Sequence, residues 1–285
     1  MEKDGRIKIF KEPVISVITV VFNDVKNIER AMLSVLNQTY KNIEYIIIDG
    51  GSTDGTVEVI KKYANRLAYW VSEQDGGIAD AMNKGVDKAT GVWVNFLNSD
   101  DFFINNTIFE EIFSTEHTAD VLYGSFIGNI NGRVMVCEAP DSVVEKAWQG
   151  MRACHSTLFT RLAIQKKFKF DTSYKVSADG DFLSRCVVEG CSFENLKKVI
   201  FQVGTPGNSY QYWFRGRLEN WRFARKYFPG LRTDLFHLWG LIYFVVFRSF
   251  KRTLLFFGVY NFLRKYYRKW VGDKIMRQKY HYRDI

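Results

Sequence analysis

Two adjacent carboxylates, Asp100 and Asp101, follow an apolar run at residues 92–98 that is typical of a buried strand. Mg²⁺ and Mn²⁺ prefer oxygen ligands and commonly bind one or two protein carboxylates together with the phosphate oxygens of a substrate. One carboxylate of such a pair can hold the metal while the other binds a ribose hydroxyl. Asp is also common in turns, so a polar turn that ends the strand is the alternative for this pair taken alone.

Further carboxylates fall near glycines, where a nucleotide could approach the backbone. Asp49 and Asp54 flank the loop GGSTDGT at residues 50–56, and Asp80 lies in the first turn of a predicted helix within the segment DGGIADAMNKG at residues 75–85. The first loop lacks the G-x-G-x-x-G spacing of a dinucleotide-binding site, and the chain contains no P-loop. These residues therefore favour a nucleotide site of another kind.

Strands and helices alternate over the first hundred residues, and this alternation predicts how the carboxylates are positioned. The predicted strands cover residues 14–21, 44–49, 67–72 and 92–98, and the predicted helices follow residue 24 and cover residues 56–64 and 78–89. Such alternation is typical of βαβ units around a parallel sheet. Ligands bind beyond the carboxyl ends of such strands, where Asp49, Ser72 and Asp100 all fall.

The middle of the chain follows a different pattern. A hairpin is predicted at residues 121–129 and 133–137 around Asn131-Gly132. A strand at residues 155–160, a helix at 179–189 and a strand at 192–203 are predicted to follow. We place a domain boundary at residue 207, which divides the chain into a catalytic-type domain at 1–207 and an extension at 208–285.

Composition indicates a folded protein of an α/β domain with an appendage. The chain has 285 residues, of which 47% are apolar and 16% aromatic, and this excludes a disordered chain. Its four cysteines have neither disulfide nor metal-ligand spacing, and residues 1–11 are polar rather than a signal peptide. We therefore expect reduced thiols in a cytoplasmic protein.

The extension is basic and aromatic, whereas the rest of the chain is slightly acidic. Residues 213–285 carry 17 Lys and Arg against 4 Asp and Glu, and residues 1–212 carry 23 against 27. The uncharged run at residues 235–247 is too short to span a membrane, and a second apolar stretch follows at 254–263. This pattern favours attachment to an anionic membrane interface. Packing on the domain, a dimer contact and a re-entrant hairpin are the alternatives.

Six segments together resemble glycosyltransferase family 2 over residues 13–205. They are SVITVVFN (16–23), SVLNQTYKNIEYIIIDGGSTDGT (34–56), SEQDGGIADAMNKG (72–85), GVWVNFLNSDD (91–101), CHSTLFTR (154–161) and FDTSYKVSADGDFLSR (170–185). The resemblance implies the GT-A fold, with a Rossmann-like, mostly parallel sheet flanked by helices. It also implies a metal-dependent, inverting, non-processive enzyme that transfers a sugar from a nucleotide diphosphate, of the kind that builds bacterial surface polysaccharides.

The resemblance assigns roles residue by residue. It implies that Asp101 binds Mn²⁺ or Mg²⁺ and that Asp100 assists the metal or contacts ribose. The donor-binding residues that it implies are Val20, Phe22, Asn23, Asp49, Asp80 and Asp100. Gly50 stands where many members have a second Asp that recognises the base, so a UDP-sugar is the expected donor but rests on less than the full motif.

The catalytic base is expected at Asp179, which would remove the proton of the acceptor hydroxyl. Ala178 replaces the first acid of the usual base motif, which leaves Asp181 as a rival. A helix N-cap is the structural alternative for Asp179. His155 matches a family position and is a candidate on the acceptor side, although a lone histidine is more often a hydrogen-bonded structural residue.

The expected acceptor is a saccharide linked to polyprenyl diphosphate, presented at the inner face of the cell membrane. A processive synthase of the same family is an alternative, but Gln211 is followed by YWFR rather than by the x-x-Arg-Trp of such enzymes. A nucleic-acid-binding protein could use the basic extension on phosphates, although the acidic domain argues against it. A scaffold without catalysis is the third alternative. The sequence does not set the oligomeric state.

Overall fold

The computed structural model describes residues 12–130, 133–150, 153–204, 212–256 and 282–284, which form one mixed sheet with helices on both of its faces. The strands are β1 (Ile15–Val21), β2 (Ile43–Asp49), β3 (Tyr69–Ser72), β4 (Trp93–Phe96), β5 (Phe102–Phe103), β6 (Val121–Ile130), β7 (Arg133–Cys137), β8 (Phe159–Arg161), β9 (Phe193–Gln202) and β10 (Tyr282–Asp284). The helices are α1 (Ile28–Leu36), α2 (Thr56–Lys62), α3 (Ile78–Lys88), α4 (Ile108–Phe113), α5 (Leu162–Phe168), α6 (Ala178–Val188), α7 (Trp213–Tyr227) and α8 (Leu231–Phe256).

The first four strands form the predicted parallel half of the sheet, in the order β3-β2-β1-β4. All of β1 is buried, as its continuous β-branched sequence predicts for a strand that is covered on both faces. Val21 of β1 lies opposite Asp49 of β2, and Asp49 lies opposite Ser72 of β3. The carboxyl ends of these strands therefore meet at one edge, as the sequence predicts.

Apolar side chains cover both faces of this half of the sheet in two separate clusters. On one face, Met32 of α1, Ile60 of α2 and Phe113 of α4 belong to the larger cluster. On the other face, Met82 of α3 and Phe182 of α6 belong to the second cluster. Burial of each such side chain stabilises the fold by about 1.5–3 kcal/mol. Packing on both faces therefore holds in place the strands that end at the sheet edge.

The other half of the sheet is largely antiparallel. The predicted hairpin is confirmed as β6 and β7, whereas its turn lies outside the described residues. β8 lies between β4 and β6 and is antiparallel to both, and β9 runs parallel to β6. The strand predicted at residues 155–160 is wrong in its first half, because His155–Thr157 forms a 3₁₀ turn before β8 begins. β5, α4 and α5 were not predicted.

Two helices follow β9 and belong to the predicted extension. α7 packs against α6, and α8 packs against α7 and against a 3₁₀ turn at Ala147–Gln149. Thr233 and His237 on α8 are buried, and a ring nitrogen of His237 lies 3.1 Å from the carbonyl oxygen of Trp148. The boundary at residue 207 and most of the stretch 254–263 lie outside the described residues. Within the described part of the chain, no helix meets the length and hydropathy needed to span a bilayer.

Candidate active site

The loop that follows β1 begins the site at the sheet edge. Val20 is buried within β1, whereas the ring of Phe22 is 64% exposed just beyond it. Asn23 has a φ of +52°, a conformation that Asn tolerates better than most residues. Its backbone N–H donates to Ser52 Oγ at 2.7 Å, and its Oδ1 accepts from the backbone N–H of Thr53 at 2.9 Å. These bonds join the predicted donor-binding loops after β1 and β2.

Asp49 is fully buried at the end of β2 and orders the glycine-rich loop. Its Oδ2 accepts hydrogen bonds from the backbone N–H of Gly51 at 3.1 Å and of Ser52 at 2.9 Å. The hydroxyls of Ser52 and Ser72 also donate to this carboxylate. Four donors therefore satisfy Asp49 from within the protein. In this arrangement it shapes the loop, and its predicted contact with the nucleotide stays a prediction.

Gly50 lies in a tight space between Asp75 and the exposed ring of Phe22. A Cβ atom at this position would lie 2.7 Å from Asp75 Oδ2 and 3.4 Å from the Phe22 ring. The other oxygen of this carboxylate, Asp75 Oδ1, accepts from the backbone N–H of Gly77 at 2.7 Å. A carboxylate, that of Asp75, therefore lies beside the position at which the family pattern leads one to expect one.

Asp80 stabilises the turn that opens α3. Its Oδ2 accepts from the backbone N–H of Gly76 at 2.9 Å. Lys84 Nζ, one turn further along the helix, lies 3.9 Å from the same oxygen. Lys84 itself pairs with Glu73 at 2.7 Å. A carboxylate in the first turn of a helix is favourable because of the helix dipole. The structure therefore places Asp80 at the predicted donor edge and ties it to the glycine pair.

The Asp100–Asp101 pair lies in the loop after β4, as predicted. Asp101 is only 4% exposed, and its Oδ2 accepts from Ser156 Oγ at 3.0 Å. Its Oδ1 accepts from the backbone N–H of Gly204 at 3.3 Å. Asp100 is half-buried, and its carbonyl oxygen accepts from Arg30 at 3.0 Å. The loop is thus held by three separate parts of the chain.

The pair has the chemistry of a hard-cation site. Burial, together with the neighbouring charge of Asp100, raises the pKa of Asp101 to about 6. A buried carboxylate beside a second one gains most from a positive charge close by, and Mg²⁺ or Mn²⁺ would supply it. Among the described residues, no cluster of three or more His, Cys, Asp or Glu side chains is placed to bind a metal. A cation held by Asp100 and Asp101 would therefore need donor phosphates and water to complete its coordination.

His155 joins the predicted base to the carboxylate pair. Its Nδ1 lies 3.4 Å from Asp179 Oδ2, and its Nε2 lies 3.2 Å from Ser156 Oγ, which in turn donates to Asp101. Burial lowers the pKa of His155, but the carboxylates of Asp179, Asp101 and Asp100 outweigh burial, so this pKa is raised. A protonated imidazole donates from both nitrogens, which matches this chain of contacts.

The two rival carboxylates of α6 lie in different surroundings. Asp179 is partly exposed in the first turn and accepts from the backbone N–H of Gly180 at 2.8 Å. Asp181 is fully buried, pairs with Arg185 at 2.9 Å and accepts from Tyr227 Oη at 3.0 Å. The structure thus brings Asp179 to His155 and the carboxylate pair, whereas Asp181 takes part in a buried ion pair.

Sequence reasoning missed two residues of this site. Ser156 links His155 to Asp101, and Asp75 occupies the space beside Gly50. A signal for Ser156 was available in its position next to His155 within a matching segment, but nothing in the sequence pairs residues 50 and 75. That contact depends on the sheet register.

A family model and several curated relatives match this chain. The model for glycosyl transferase family 2 matches residues 16–134. An uncharacterised glycosyltransferase of Mycobacterium tuberculosis is 31% identical over 201 residues, which cover 68% of this chain and 76% of the relative. A PGL/p-HBAD biosynthesis glycosyltransferase of the same species is 31% identical over 182 residues, 61% of this chain and 70% of the relative.

Solved structures match the fold over most of the chain. S. aureus TarS 1-349, in complex with UDP-GlcNAc, has a TM-score of 0.59 at 21% identity and covers 79% of this chain and 70% of its own. A longer TarS chain matches over only 38% of its length. A mannosyltransferase from Pyrobaculum calidifontis, in complex with GDP-Man and Mn²⁺, has a TM-score of 0.64 at 19% identity and covers 92% and 84%. With its GT-A fold and these relatives, the chain belongs to glycosyl transferase family 2.

Proposed function

We propose that this glycosyltransferase moves a sugar from a UDP-sugar to a lipid-linked saccharide, with inversion, in the assembly of a surface polysaccharide such as O-antigen, capsule or exopolysaccharide. The observation that carries the proposal is the chain of contacts from Asp179 through His155 and Ser156 to Asp101. Through the side chains of two residues, it links a candidate catalytic base to a candidate site for the diphosphate. Sugar transfer needs these two groups on either side of the anomeric carbon.

In the proposed reaction, Asp179 accepts the proton of the acceptor hydroxyl as its oxygen attacks the anomeric carbon. The nucleotide diphosphate leaves from the opposite face, so one displacement inverts the configuration. The N–H of His155 orients the Asp179 carboxylate, since its Nδ1 lies 3.4 Å from Asp179 Oδ2. Asp100 and Asp101 would hold Mn²⁺ or Mg²⁺, and a cation there would stabilise the charge on the departing diphosphate.

The proposed binding site for the nucleobase lies between Phe22, Gly50 and Asp75. The exposed Phe22 ring offers a surface on which a nucleobase can stack. Asp75 Oδ1 accepts from the backbone N–H of Gly77, and Oδ2 is the oxygen that lies near Gly50 and has no such bond to Gly77. One acceptor oxygen matches the single N3–H of uracil. Guanine also presents an N–H edge that a carboxylate can accept, so a GDP-sugar is the competing donor.

Calorimetric titration of UDP-, GDP- and dTDP-sugars, with and without Mn²⁺, tests the donor and the metal together. We expect one UDP-sugar to bind only with the cation, and Asp101→Ala to abolish this binding. Asp179→Asn should retain donor binding and lose transfer, and the anomeric coupling in the product's NMR spectrum should show inversion. Full transfer by Asp179→Asn would refute the assignment of Asp179 as the catalytic base. Tighter binding of a GDP-sugar than of any UDP-sugar would refute the uracil assignment.

We propose further that the extension at 208–285 attaches the enzyme to the cytoplasmic face of an anionic membrane, where a polyprenyl-diphosphate acceptor is presented. Large apolar side chains are exposed along α8 at helical spacing: Leu231, Leu235, Leu238, Trp239, Ile242 and Val246. The net positive charge of residues 213–285 complements anionic headgroups. The four free cysteines are compatible with a reducing compartment.

Co-sedimentation with vesicles tests the attachment. Leu235→Glu and Trp239→Glu should each reduce binding to phosphatidylglycerol vesicles several-fold, because both side chains are exposed and would insert. Val188→Glu, an equally exposed apolar position on α6, is the matched control and should not change binding. Unchanged binding by all three variants would refute insertion of α8. Equally strong, salt-sensitive binding to RNA without lipid would favour the nucleic-acid alternative.

A further inference from the structure

Glu219, on α7, accepts hydrogen bonds from three successive backbone N–H groups. The N–H of Lys175 donates to its Oε1 at 3.0 Å, and those of Val176 and Ser177 donate to its Oε2 at 2.8 Å and 3.0 Å. The Arg215 side chain also donates to Oε1, at 2.9 Å. Glu219 is 7% exposed, so its ionised carboxylate is held in a largely buried site by four donors.

The three backbone groups belong to the loop that begins α6. Ser177 is the N-cap residue of α6, but its side chain makes no capping hydrogen bond. Ser177 Oγ instead donates to the carbonyl oxygen of Gly216 on α7, at 3.3 Å. The N–H groups at a helix N-terminus need acceptors, and the carboxylate of Glu219 supplies one from another helix. The start of α6 is therefore fixed by α7.

Asp179 lies two residues beyond the last of these N–H groups, in the first turn of α6. On its other side, the same loop is held to the donor edge, because Lys175 Nζ donates to the carbonyl oxygen of Gly76 at 3.2 Å. The loop thus runs between α7 and the glycine pair before α3. The position of this loop sets where the Asp179 carboxylate lies relative to His155. In the structure, Asp179 Oδ2 is 3.4 Å from His155 Nδ1.

We infer that Glu219 is a positioning residue for Asp179, so that α7 is part of the catalytic unit rather than only of a membrane-attaching extension. The inference rests on the proposed role of Asp179 as base. Glu219 acts by holding the N-terminus of α6 where the Asp179 carboxylate meets both His155 and the acceptor hydroxyl. Misplacing a reacting group by about 1 Å can reduce a rate by about 100-fold, so a carboxylate remote from the substrate can control turnover.

Steady-state kinetics of Glu219→Gln in the full chain, with calorimetric titration of the donor, tests the inference. The amide keeps the shape of the side chain but presents an N–H group toward the backbone donors. We expect kcat for transfer to fall about 10- to 100-fold. The Kd for the nucleotide sugar should stay within about threefold, since α7 does not contribute to the base-binding site.

Two controls separate positioning from general destabilisation. Phe223→Leu removes packing against Tyr174 in the same interface, and Glu111→Gln removes a carboxylate on α4 that pairs with Lys198 of β9. Both should keep kcat, even where Phe223→Leu lowers the Tm as much as Glu219→Gln does. A kcat that is unchanged in Glu219→Gln, that falls in proportion to Tm across the variants, or that falls together with donor affinity would overturn the inference. Activity of Asp179→Asn measured alongside would instead refute the proposed base.

Discussion

Asp49 is buried at the sheet edge, where its charge would be costly without the four donors that surround it. Asp49→Asn keeps the size of the side chain but directs an amide N–H group at one of these donors. We expect the free energy of unfolding to fall by about 2–3 kcal/mol, because a buried donor loses its acceptor. Chemical denaturation at pH 7 measures this change.

A surface carboxylate provides the comparison for Asp49. Asp87 pairs with Lys169 at 2.6 Å, but both side chains are about half exposed. Asp87→Asn should therefore change the free energy of unfolding by less than about 1 kcal/mol. If both variants cost the same, Asp49 would not be the residue that orders the glycine-rich loop.

The close approach of Gly50 to Asp75 gives a prediction about donor recognition. In Gly50→Asp, a Cβ would lie 2.7 Å from Asp75 Oδ2, so the two carboxylates would compete for one space. We expect this variant to bind the nucleotide sugar at least about tenfold more weakly, a loss of about 1.4 kcal/mol. Adding Asp75→Ser should restore most of the affinity by leaving one carboxylate at the site.

Calorimetry of the wild type, both single variants and the double variant forms a double-mutant cycle. Strong positive coupling between positions 50 and 75 supports a shared base-binding site. Additive losses would show that Asp75 does not supply the carboxylate that the family pattern places at position 50.

At the scale of whole elements, the contact between α7 and α6 predicts how stability depends on pH. Burial opposes ionisation of Glu219, but the backbone N–H groups and Arg215 outweigh it, so its pKa lies below the usual value. A carboxylate with a lowered folded-state pKa contributes stability that is present above its unfolded pKa, near 4.3, and is lost as the pH falls through the folded one.

Denaturation of the wild type and Glu219→Gln at several pH values tests this dependence. The difference in their free energies of unfolding should be about 2 kcal/mol at pH 7. It should shrink as the pH falls below about 4, because protonation then removes the charge from the wild-type residue. A difference that is constant with pH would show that the charge on Glu219 does not stabilise α6.

The same elements show what the sequence could and could not predict. The periodicity of apolar residues and the local composition predicted the ends of β1 to β4 and of α6 to within one or two residues. These segments are buried, and their apolar residues recur regularly along the sequence. The turn at His155–Thr157 was predicted as strand, since its three residues carry no glycine or proline to mark it. The contact of Glu219 with the loop before α6 joins residues more than 40 positions apart. Only tertiary packing creates such a contact.

On the scale of the whole molecule, charge is separated along the chain. Residues 1–212 carry a net charge of −4, whereas residues 213–285 carry +13. An anionic surface should therefore attract the extension and repel the rest of the chain, which would orient the exposed apolar face of α8 toward the lipid. α7 connects this face to the loop of Asp179, so the orientation would also direct the active site toward acceptors at the surface.

This separation predicts that salt affects the membrane reaction and not the chemistry. Raising NaCl from about 0.05 M to about 0.5 M shortens the Debye length well below 10 Å and weakens attraction to the membrane. Transfer to a lipid-linked acceptor in phosphatidylglycerol vesicles should therefore fall several-fold, whereas transfer to a water-soluble analogue of that acceptor should change by less than about twofold. Phosphatidylcholine vesicles are the control, and with them the salt dependence should be small. If transfer to both acceptors falls in parallel, salt acts on the active site. If transfer to neither acceptor falls, charge does not contribute to the attachment, which would then depend only on the insertion of apolar side chains of α8.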